Sequence, residues 1–215
     1  MYLNRREAGE LLGEQLKKLK LQDPMLLAVP RGGLVVAEPV ALALQKKLGV
    51  LVTRKIGHPM NPEVAIGAVM PDGKVISESS FFSVAGRSDI QQIVEREQRE
   101  IRRRMKDYTG SENPPDVKGR MVVVIDDGIA TGYTLRAAIK WLRSSGAAFI
   151  MVAVPVGPPD TVREIAREAD RVVCLSQPES FYAVGQFYRE FGQVEDAEVI
   201  EILERVNGKH QKLVQ

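Results

Sequence analysis

Cysteine is nearly absent from this chain, since Cys174 is the only one in 215 residues. A single cysteine excludes an internal disulfide framework, a cysteine zinc cluster and a CxxC redox pair. Long apolar runs are missing as well, because no stretch approaches the about 18–20 residues of a membrane span. The N-terminal stretch MYLNRREAGELLGEQL is amphipathic and charged, unlike a signal peptide. These absences predict a soluble cytoplasmic protein with no membrane partner.

A strong charge imbalance and the common nucleotide-binding and hydrolase motifs are also missing. The 30 basic and 28 acidic residues give a net charge of +2, which is too small to indicate binding of nucleic acid. The chain contains no GxxxxGK followed by Ser or Thr, no G-x-G-x-x-G and no G-x-S-x-G. Their absence argues against a P-loop NTPase, a dinucleotide-binding fold and a serine hydrolase. The composition is compatible with an anionic small-molecule substrate.

Short apolar segments alternate with helical patterns along most of the chain. Strands are predicted at 25–30, 50–57, 121–125, 148–154 and 171–175, and helices at 4–20, after 31, 134–145, 159–169 and 195–206. Apolar strands separated by helices are typical of an α/β fold with a parallel sheet covered on both faces. In such folds ligands bind at the carboxyl ends of the strands. Pro39 leaves two alternatives for the second helix, which either begins near Ala37 or is kinked.

The alternation is interrupted between about residues 58 and 110, so we expect one domain, 1–215, with an insertion there. Asp72-Gly73 between two partly alternating runs predicts a β-hairpin. A long helix rich in arginine follows at 88–108, with opposite charges four residues apart. This pattern favours a solvated or inter-subunit helix face, and binding of an anionic ligand is the alternative. Beside the ligand-binding edge, the insertion would form a lid.

Two adjacent carboxylates, Asp126 and Asp127, follow the strand MVVVI at the ligand-binding edge of the predicted sheet. The next residues, GIATGYT, combine small side chains with hydroxyls and precede a helix. Backbone N–H groups, hydroxyls and a helix N-terminus together form a phosphate-binding loop. The aspartates would repel a phosphate alone, so we expect a ligand that brings hydroxyls, or hydroxyl-bound metal, to them. A ribose 5-phosphate meets both conditions.

The segment VVVIDDGIATGYT resembles the signature of the type I phosphoribosyltransferases: an aliphatic strand, two acidic residues, a few small or apolar residues and Thr-Gly-x-Thr. The resemblance implies that Asp126 and Asp127 hold the ribose hydroxyls of phosphoribosyl pyrophosphate (PRPP). It also implies a binding loop for the 5-phosphate, made of Gly128, Ile129, Ala130, Thr131, Gly132, Tyr133 and Thr134. Gly128 is a departure, because the family more often has a branched aliphatic residue there.

Two further segments are similar to parts of this family. AVPRGG, before the second helix, resembles the pyrophosphate loop, which commonly carries a cis non-proline peptide bond; Arg31, Gly32 and Gly33 would then bind pyrophosphate. A tight strand-to-helix turn with a surface arginine is the alternative. Arg54 and Lys55 are similar to the basic pair of orotate phosphoribosyltransferase-like members. Side chains alternate along a strand, so we expect only one of the two, Lys55, to face the ligand.

The resemblance covers about residues 25–175 and implies a Rossmann-like phosphoribosyltransferase core, followed by a C-terminal hood at about 176–215. The implied reaction transfers ribose 5-phosphate from PRPP to a nitrogenous acceptor, expected to be a nucleobase, and releases pyrophosphate. We expect catalytic roles for the two aspartates, Arg31 and Lys55. Mg²⁺ would bridge pyrophosphate and ribose, with the aspartates mainly in its outer coordination sphere. The protein is expected to be a homodimer.

Three alternatives stay open. One is a phosphoribosyl hydrolase, or an enzyme that transfers ribose phosphate to something other than a base. A non-enzymatic regulator that senses PRPP or a nucleotide would share the fold, although Arg31, Asp126 and Asp127 favour an enzyme. In the hood, Phe181 or Tyr182 would stack on a base ring, or the aromatic residues of this segment would form the core side of a helix.

Overall fold

Two β-sheets and six α-helices make up the part of the chain that the structure, a computed structural model, describes: residues 1–58, 61–77 and 87–213. The strands are β1 (Met25–Ala28), β2 (Leu48–Val50), β3 (Arg54–His58), β4 (Asn61–Val69), β5 (Val75–Ser77), β6 (Met121–Ile125), β7 (Phe149–Val156) and β8 (Arg171–Ser176). The α-helices are α1 (Arg5–Lys18), α2 (Gly32–Leu44), α3 (Arg87–Thr109), α4 (Tyr133–Ser144), α5 (Pro159–Glu168) and α6 (Asp196–Leu213).

The core sheet has five strands in the order β2-β1-β6-β7-β8, and every neighbouring pair is parallel. Successive side chains of a strand point to opposite faces. Accordingly, Leu26 packs with residues of α1, α2 and α6, whereas Leu27 packs with residues of α4 and α5. Both faces are therefore apolar, which explains strands without polar alternation. The predicted parallel sheet with helices on both faces is confirmed.

The predicted strand at 50–57 is wrong in its extent, because the segment belongs to two different sheets. β2 ends at Val50. The next residue still bonds to the core sheet, because Leu51 N–H donates to Ala28 O at 2.9 Å. The chain then leaves the core sheet, and β3 pairs antiparallel with β4. A continuous apolar run does not reveal where a strand changes its partner, since both pairings accept the same residue types.

Pro39 lies inside α2, which begins at Gly32, so a helix that begins near Ala37 is excluded. The proline faces α1 at a close helix crossing. A Cβ built on Gly9 of α1 would lie 2.5 Å from Pro39 Cγ and 2.3 Å from Val36 O. Glycine at position 9 thus lets α1 approach the α2 backbone, and this packing supports a helix in which proline removes a hydrogen bond.

β3 and the region of the predicted insertion form a three-stranded antiparallel sheet, β3-β4-β5, followed by α3. The hairpin predicted at Asp72-Gly73 is confirmed, with Gly73 at φ +83° and its N–H donating to Met70 O at 2.8 Å. α3 buries Ile101, Met105 and Tyr108 against the body of the protein. The predicted lid also includes 59–60 and 78–86, which lie outside the described residues. Of the helices described, none is long and apolar enough to span a membrane.

Candidate active site

The two loops singled out in the sequence meet at the carboxyl edge of the core sheet. They follow β1 and β6, which are hydrogen-bonded neighbours, and Val29 N–H donates to Ile125 O at 2.9 Å just beyond β1. The peptide bond between Pro30 and Arg31 is cis. A Cβ on Gly33 would lie 2.9 Å from Ile125 O and 3.2 Å from an oxygen of the Asp126 side chain. Glycine at position 33 therefore allows one loop to lie directly against the other.

A cavity of about 420 Å³ opens at this edge. Its lining consists of Lys55, Asp126, Gly128, Ile129, Ala130, Thr131, Gly132, Thr134, Leu135, Tyr182, Ala183 and Val184. One carboxylate, one ammonium group, two threonine hydroxyls and a glycine-rich backbone thus converge on one volume. Most of the predicted phosphate loop lies on its wall, together with Lys55 of β3 and three residues from the C-terminal segment.

The turn that starts α4 has a backbone geometry suited to binding an anion. Gly132 is the residue before the helix, with φ +76°, and a Cβ there would also lie 2.9 Å from Thr161 Cγ2. A left-handed backbone at this residue favours glycine. The first N–H groups of a helix lack partners within it and attract anions. Thr53 anchors the turn from the other side, because its hydroxyl donates to Thr134 O at 3.4 Å.

Asp126 is the half-buried carboxylate that faces the cavity. One of its oxygens accepts the N–H of Asp127 at 2.8 Å. Burial raises the pKa of Asp126 well above that of an ordinary aspartate, and the charge of Asp127 raises it further. A carboxylate in such a position favours a ligand that donates hydrogen bonds or carries positive charge. Ribose hydroxyls and a hydrated cation both have this property.

Asp127 pairs with a residue that sequence reasoning missed. Its Oδ2 accepts Arg5 Nε at 2.7 Å, and the Arg5 and Asp127 side chains are only 11% and 17% exposed. Burial raises the pKa of the Asp127 carboxyl, and the Arg5 guanidinium opposes that rise. Arg5 is the first residue of α1, 122 positions earlier in the chain. No local sequence pattern connects two residues so far apart.

Arg31 extends from the first loop towards the start of α6. Its guanidinium lies 3.4 Å from Glu195 Oε2 and 3.6 Å from Asp196 Oδ1, and its side chain is 24% exposed. Asp196 also accepts Arg103 at 2.9 Å and the hydroxyl of Tyr108. Arg31 is thus paired with acidic residues in this structure, at the edge where the predicted pyrophosphate loop lies.

Arg54 and Lys55, the basic pair of β3, line two different cavities. Lys55 lines the cavity that contains Asp126, whereas Arg54 donates to Glu97 Oε2 of α3 at 2.7 Å. Glu97 is buried, and Arg96 donates to its other oxygen at 2.8 Å. Arg54 therefore does not join the other predicted site residues. It lines a separate cavity of about 500 Å³, surrounded by Arg54, Arg96, Glu97, Arg99, Glu100 and Arg103.

The C-terminal segment contributes a wall of the cavity, in the region predicted to be a hood. This segment contains a short 3-10 helix at Val184–Phe187. The two aromatic residues before it, Phe181 and Tyr182, have different environments. Phe181 packs on Phe187, with ring centroids 5.0 Å apart, whereas Tyr182 is 89% exposed at the cavity. The alternative in which the aromatic residues of this segment form the core side of a helix is wrong, because the helix here is a 3-10 helix of four residues.

No three histidine, cysteine, aspartate or glutamate side chains within the described ranges are grouped closely enough to hold a metal ion. The side-chain oxygens at the cavity belong to Asp126, Thr131, Thr134 and Tyr182.

Comparison with known proteins identifies the family of the chain. A family model for the phosphoribosyl transferase domain matches residues 3–191. A Mycobacterium tuberculosis protein, provisionally described as a phosphoribosyl transferase, is 41% identical over 209 residues, which cover 96% of this chain and 47% of that protein. The chain therefore spans about half the length of that relative.

Two further similarities differ in extent. The crystal structure of TT1426 from Thermus thermophilus has a TM-score of 0.79 and 40% identity, over 95% of this chain and 98% of that one. A uracil phosphoribosyltransferase of Streptomyces griseus is 37% identical over 87 residues, 39% of this chain and 41% of that protein. The domain match and the core sheet agree with the resemblance in the sequence: the chain belongs to the phosphoribosyl transferase family and has the type I core.

Proposed function

We propose that the chain is a phosphoribosyltransferase that binds PRPP and transfers its ribose 5-phosphate to a nitrogenous acceptor, releasing pyrophosphate. One observation carries the proposal: Asp126, Lys55 and the loop at the start of α4 line the same cavity. A phosphorylated sugar with a second anionic group needs this combination of a carboxylate, an anion-binding loop and a cation. A simple phosphate site would not need the carboxylate.

The 5-phosphate would bind the loop from residue 128 to residue 134. Backbone N–H groups at the start of α4 and the Thr131 and Thr134 hydroxyls would donate to its oxygens. Ribose would then lie over the strand end, with hydroxyls donating to Asp126 and to Oδ1 of Asp127. This arrangement uses the Asp127 oxygen that is not the Arg5 contact.

The pyrophosphate would lie against the loop that contains Gly32 and Gly33. Lys55 and Arg31 supply positive charge there, although Arg31 must first leave Glu195 and Asp196. The donor set fits Mg²⁺, which prefers oxygen ligands, keeps several waters and commonly combines one or two carboxylates with substrate phosphates. When bound, Mg²⁺ would neutralise charge on the departing pyrophosphate.

The reaction follows from this placement. A nitrogen of the acceptor attacks C1 of ribose and inverts it, the bond between C1 and the pyrophosphate oxygen breaks, and pyrophosphate leaves with the electron pair. The proton of the acceptor nitrogen passes to solvent. The protein holds the phosphate, hydroxyls and pyrophosphate at separate subsites, so that C1 is presented in one orientation. Lys55 and Arg31 stabilise the charge that develops on the leaving group.

A nucleobase is the acceptor we propose. Tyr182 is exposed at the wall of the cavity, where its ring would stack on a planar base. Ala183 and Val184 would form an apolar surface beside it. A homodimer in the cytoplasm is part of the same proposal, and light scattering of the purified protein would test the dimer.

The decisive experiment measures pyrophosphate release from PRPP and Mg²⁺ with a panel of bases and amines. Calorimetry of PRPP binding should accompany it. Asp126→Asn should lower turnover by about 100-fold or more, as expected when a contact at the reacting substrate is lost. Asp160→Asn, a change at a carboxylate that is 83% exposed, is the matched control and should leave turnover intact.

If PRPP fails to bind the wild-type protein, the proposal is wrong. Binding without turnover of any acceptor would instead favour the alternative of a PRPP-sensing regulator.

A further inference from the structure

The first residues of the chain and a segment near its end form a joint structure beside Asp127. Tyr2 N–H donates to Phe187 O at 2.8 Å, and the N–H groups of Arg189 and Glu190 donate back to Tyr2 O and Leu3 O at 2.9 Å. We call residues 2–5 and 187–192 the terminal clasp.

The terminal clasp is also anchored to the core sheet. The hydroxyl of Tyr2 donates to Pro155 O of β7 at 2.8 Å, and the rings of Tyr2 and Tyr188 lie 5.5 Å apart. Ala8, Val156 and Tyr188 form a small buried apolar cluster beneath it. The clasp therefore has a defined position relative to the carboxyl end of the sheet.

Arg5 belongs to the terminal clasp and connects it to the candidate site through Asp127. Its Nε donates to Asp127 Oδ2 at 2.7 Å, and its Nη1 donates to Gly192 O at 2.8 Å. The guanidinium carbon lies 3.7 Å from the centre of the Phe191 ring, a cation–π distance. α1 begins at this residue because Asn4 Oδ1 accepts Glu7 N–H at 3.1 Å. Gly192 and Phe191 thus fix the position of the guanidinium group in addition to its contact with the carboxylate.

Asp127 is held at a second point as well. The Tyr188 hydroxyl donates to Asp127 O at 2.6 Å, so both the carbonyl and the carboxylate of this residue contact the clasp. The first loop lies against the same ion pair, because a Cβ on Gly32 would clash with Asp127 Oδ2 and lie 2.9 Å from Arg5 Nε. Asp127 is therefore enclosed between the clasp and the loop proposed to bind pyrophosphate.

We infer that Arg5 is a positioning residue of the substrate site, which fixes the Asp127 carboxylate so that Oδ1 alone is presented to a ribose hydroxyl. The inference rests on the proposed function. A side chain held by a buried ion pair loses its freedom of rotation before the substrate arrives, and this preorganisation lowers the entropic cost of binding. Substrate affinity thus depends on contacts between the terminal clasp and the edge of the core sheet.

The competing explanation is that Arg5 only fastens α1 to the protein. Arg6 offers a matched control, because it lies on the same helix and also pairs with a carboxylate, donating to Glu38 Oε2 at 2.7 Å away from the cavity. Arg5→Gln and Arg6→Gln each remove one charged partner from α1. They differ in whether the partner carboxylate lies at the candidate site.

The test is calorimetric binding of PRPP with Mg²⁺, together with steady-state kinetics. Arg5→Gln should weaken PRPP binding by about 10-fold or more, as expected for a lost charge-assisted hydrogen bond, and should leave the KM of the acceptor unchanged. Arg5→Lys should recover part of that loss, and Arg6→Gln should bind PRPP as the wild type does. In the Asp127→Asn background, Arg5→Gln should change PRPP affinity by less than about threefold.

Equal losses from Arg5→Gln in the wild-type and Asp127→Asn backgrounds would overturn the inference, and so would unchanged PRPP affinity. If Arg5→Gln does not fold, Tyr188→Phe replaces it, since that variant removes only the hydroxyl bonded to Asp127 O. Tyr188→Phe should weaken PRPP binding by about threefold to tenfold, and wild-type affinity would overturn the inference. Failure of the wild-type protein itself to bind PRPP is a different result, which refutes the proposed function.

Discussion

Val184 fills the space beside Gly128 that a side chain at position 128 would need. A Cβ built on Gly128 would lie 2.6 Å from Val184 Cγ1, 3.0 Å from Val184 Cγ2 and 3.2 Å from Val156 Cγ1. The sequence departs from the pattern of type I phosphoribosyltransferases at Gly128, where a branched aliphatic residue is more common. The C-terminal segment thus supplies the branched aliphatic group at this place, and the glycine makes room for it.

Gly128→Ala should destabilise the protein by about 1–3 kcal/mol, the usual cost of overpacking. Gly128 does not have a positive φ, so the cost is steric. Adding Val184→Ala should restore part of the loss, because the new methyl then has room. Urea unfolding of both single variants and the double variant measures the coupling. Additive losses would mean that Val184 does not determine the tolerance at position 128.

Substitution of Lys55 should weaken substrate binding, whereas substitution of Arg54 should lower the stability of the protein. Lys55→Met should raise the dissociation constant of PRPP by about 10-fold, since a cation at the cavity is lost. Arg54→Met should instead lower the free energy of unfolding by about 1–3 kcal/mol, because it removes a partner of the buried Glu97. Calorimetry and urea unfolding of both variants are the measurements. A larger loss of PRPP affinity in Arg54→Met than in Lys55→Met would reverse the assignment.

Asp196→Asn should strengthen the binding of pyrophosphate with Mg²⁺ by about twofold to fivefold. The charge of Asp196 holds Arg31 away from an incoming anion at a partly exposed position, where an ion pair contributes about 0.2–1 kcal/mol. Asp107→Asn is the control, because Asp107 pairs with Arg103 and not with Arg31. Calorimetric titration gives both affinities. Equal affinities in Asp196→Asn and the control would count against a role for Arg31 in the pyrophosphate site.

Because of Glu38, the free energy of unfolding should depend on pH in the acid range. Its side chain is 2% exposed and accepts Arg205 and Arg6 at 2.6 and 2.7 Å. Burial alone would raise the pKa of Glu38, but the hydrogen bonds and charges of the two arginines hold it below the ordinary value of 4.5. The folded state therefore binds this proton less readily than the unfolded state does. The stabilisation is present above pH 4.5 and is lost as the pH falls through the lower pKa of the folded protein.

Glu38→Gln should accordingly cost about 1–3 kcal/mol at neutral pH, since the arginines that lose their partner are partly exposed. The difference from the wild type should shrink below pH 4.5. Urea unfolding between neutral and acid pH checks this, with the exposed Glu14→Gln as the control. A difference that stays constant across the range would contradict the ion-pair explanation.

The elements that could be predicted from sequence are those with a local physical signature. β6 has the predicted bounds, 121–125, because five apolar residues end abruptly at charged ones. The Asp72-Gly73 turn needs a left-handed glycine, which only a few dipeptides provide. The 50–57 segment was less predictable, because nothing local marks the point where the chain passes from the parallel sheet to the antiparallel one.

The same limit applies to the candidate site. The order of residues in the strand end and the loop was enough to suggest a carboxylate pair and a phosphate-binding turn. That order was not enough to predict the environment of each carboxylate, because Arg5, which contacts Asp127, lies 122 positions earlier in the chain. Arg31 likewise meets acidic residues 164 and 165 positions away. The predicted roles of the individual site residues stay predictions.

Amino-acid order alone determines the alternation of apolar strands and helices, the two acidic residues at a strand end and the glycine-rich turn after them. These depend on interactions within a few residues, for which side-chain periodicity and backbone conformation are sufficient. Tertiary packing decides the rest: Asp126 faces the cavity, Asp127 faces Arg5, and Val184 fills the space beside Gly128. Such contacts join residues distant in sequence, so they exist only after the sheet, the helices and the terminal clasp have packed together.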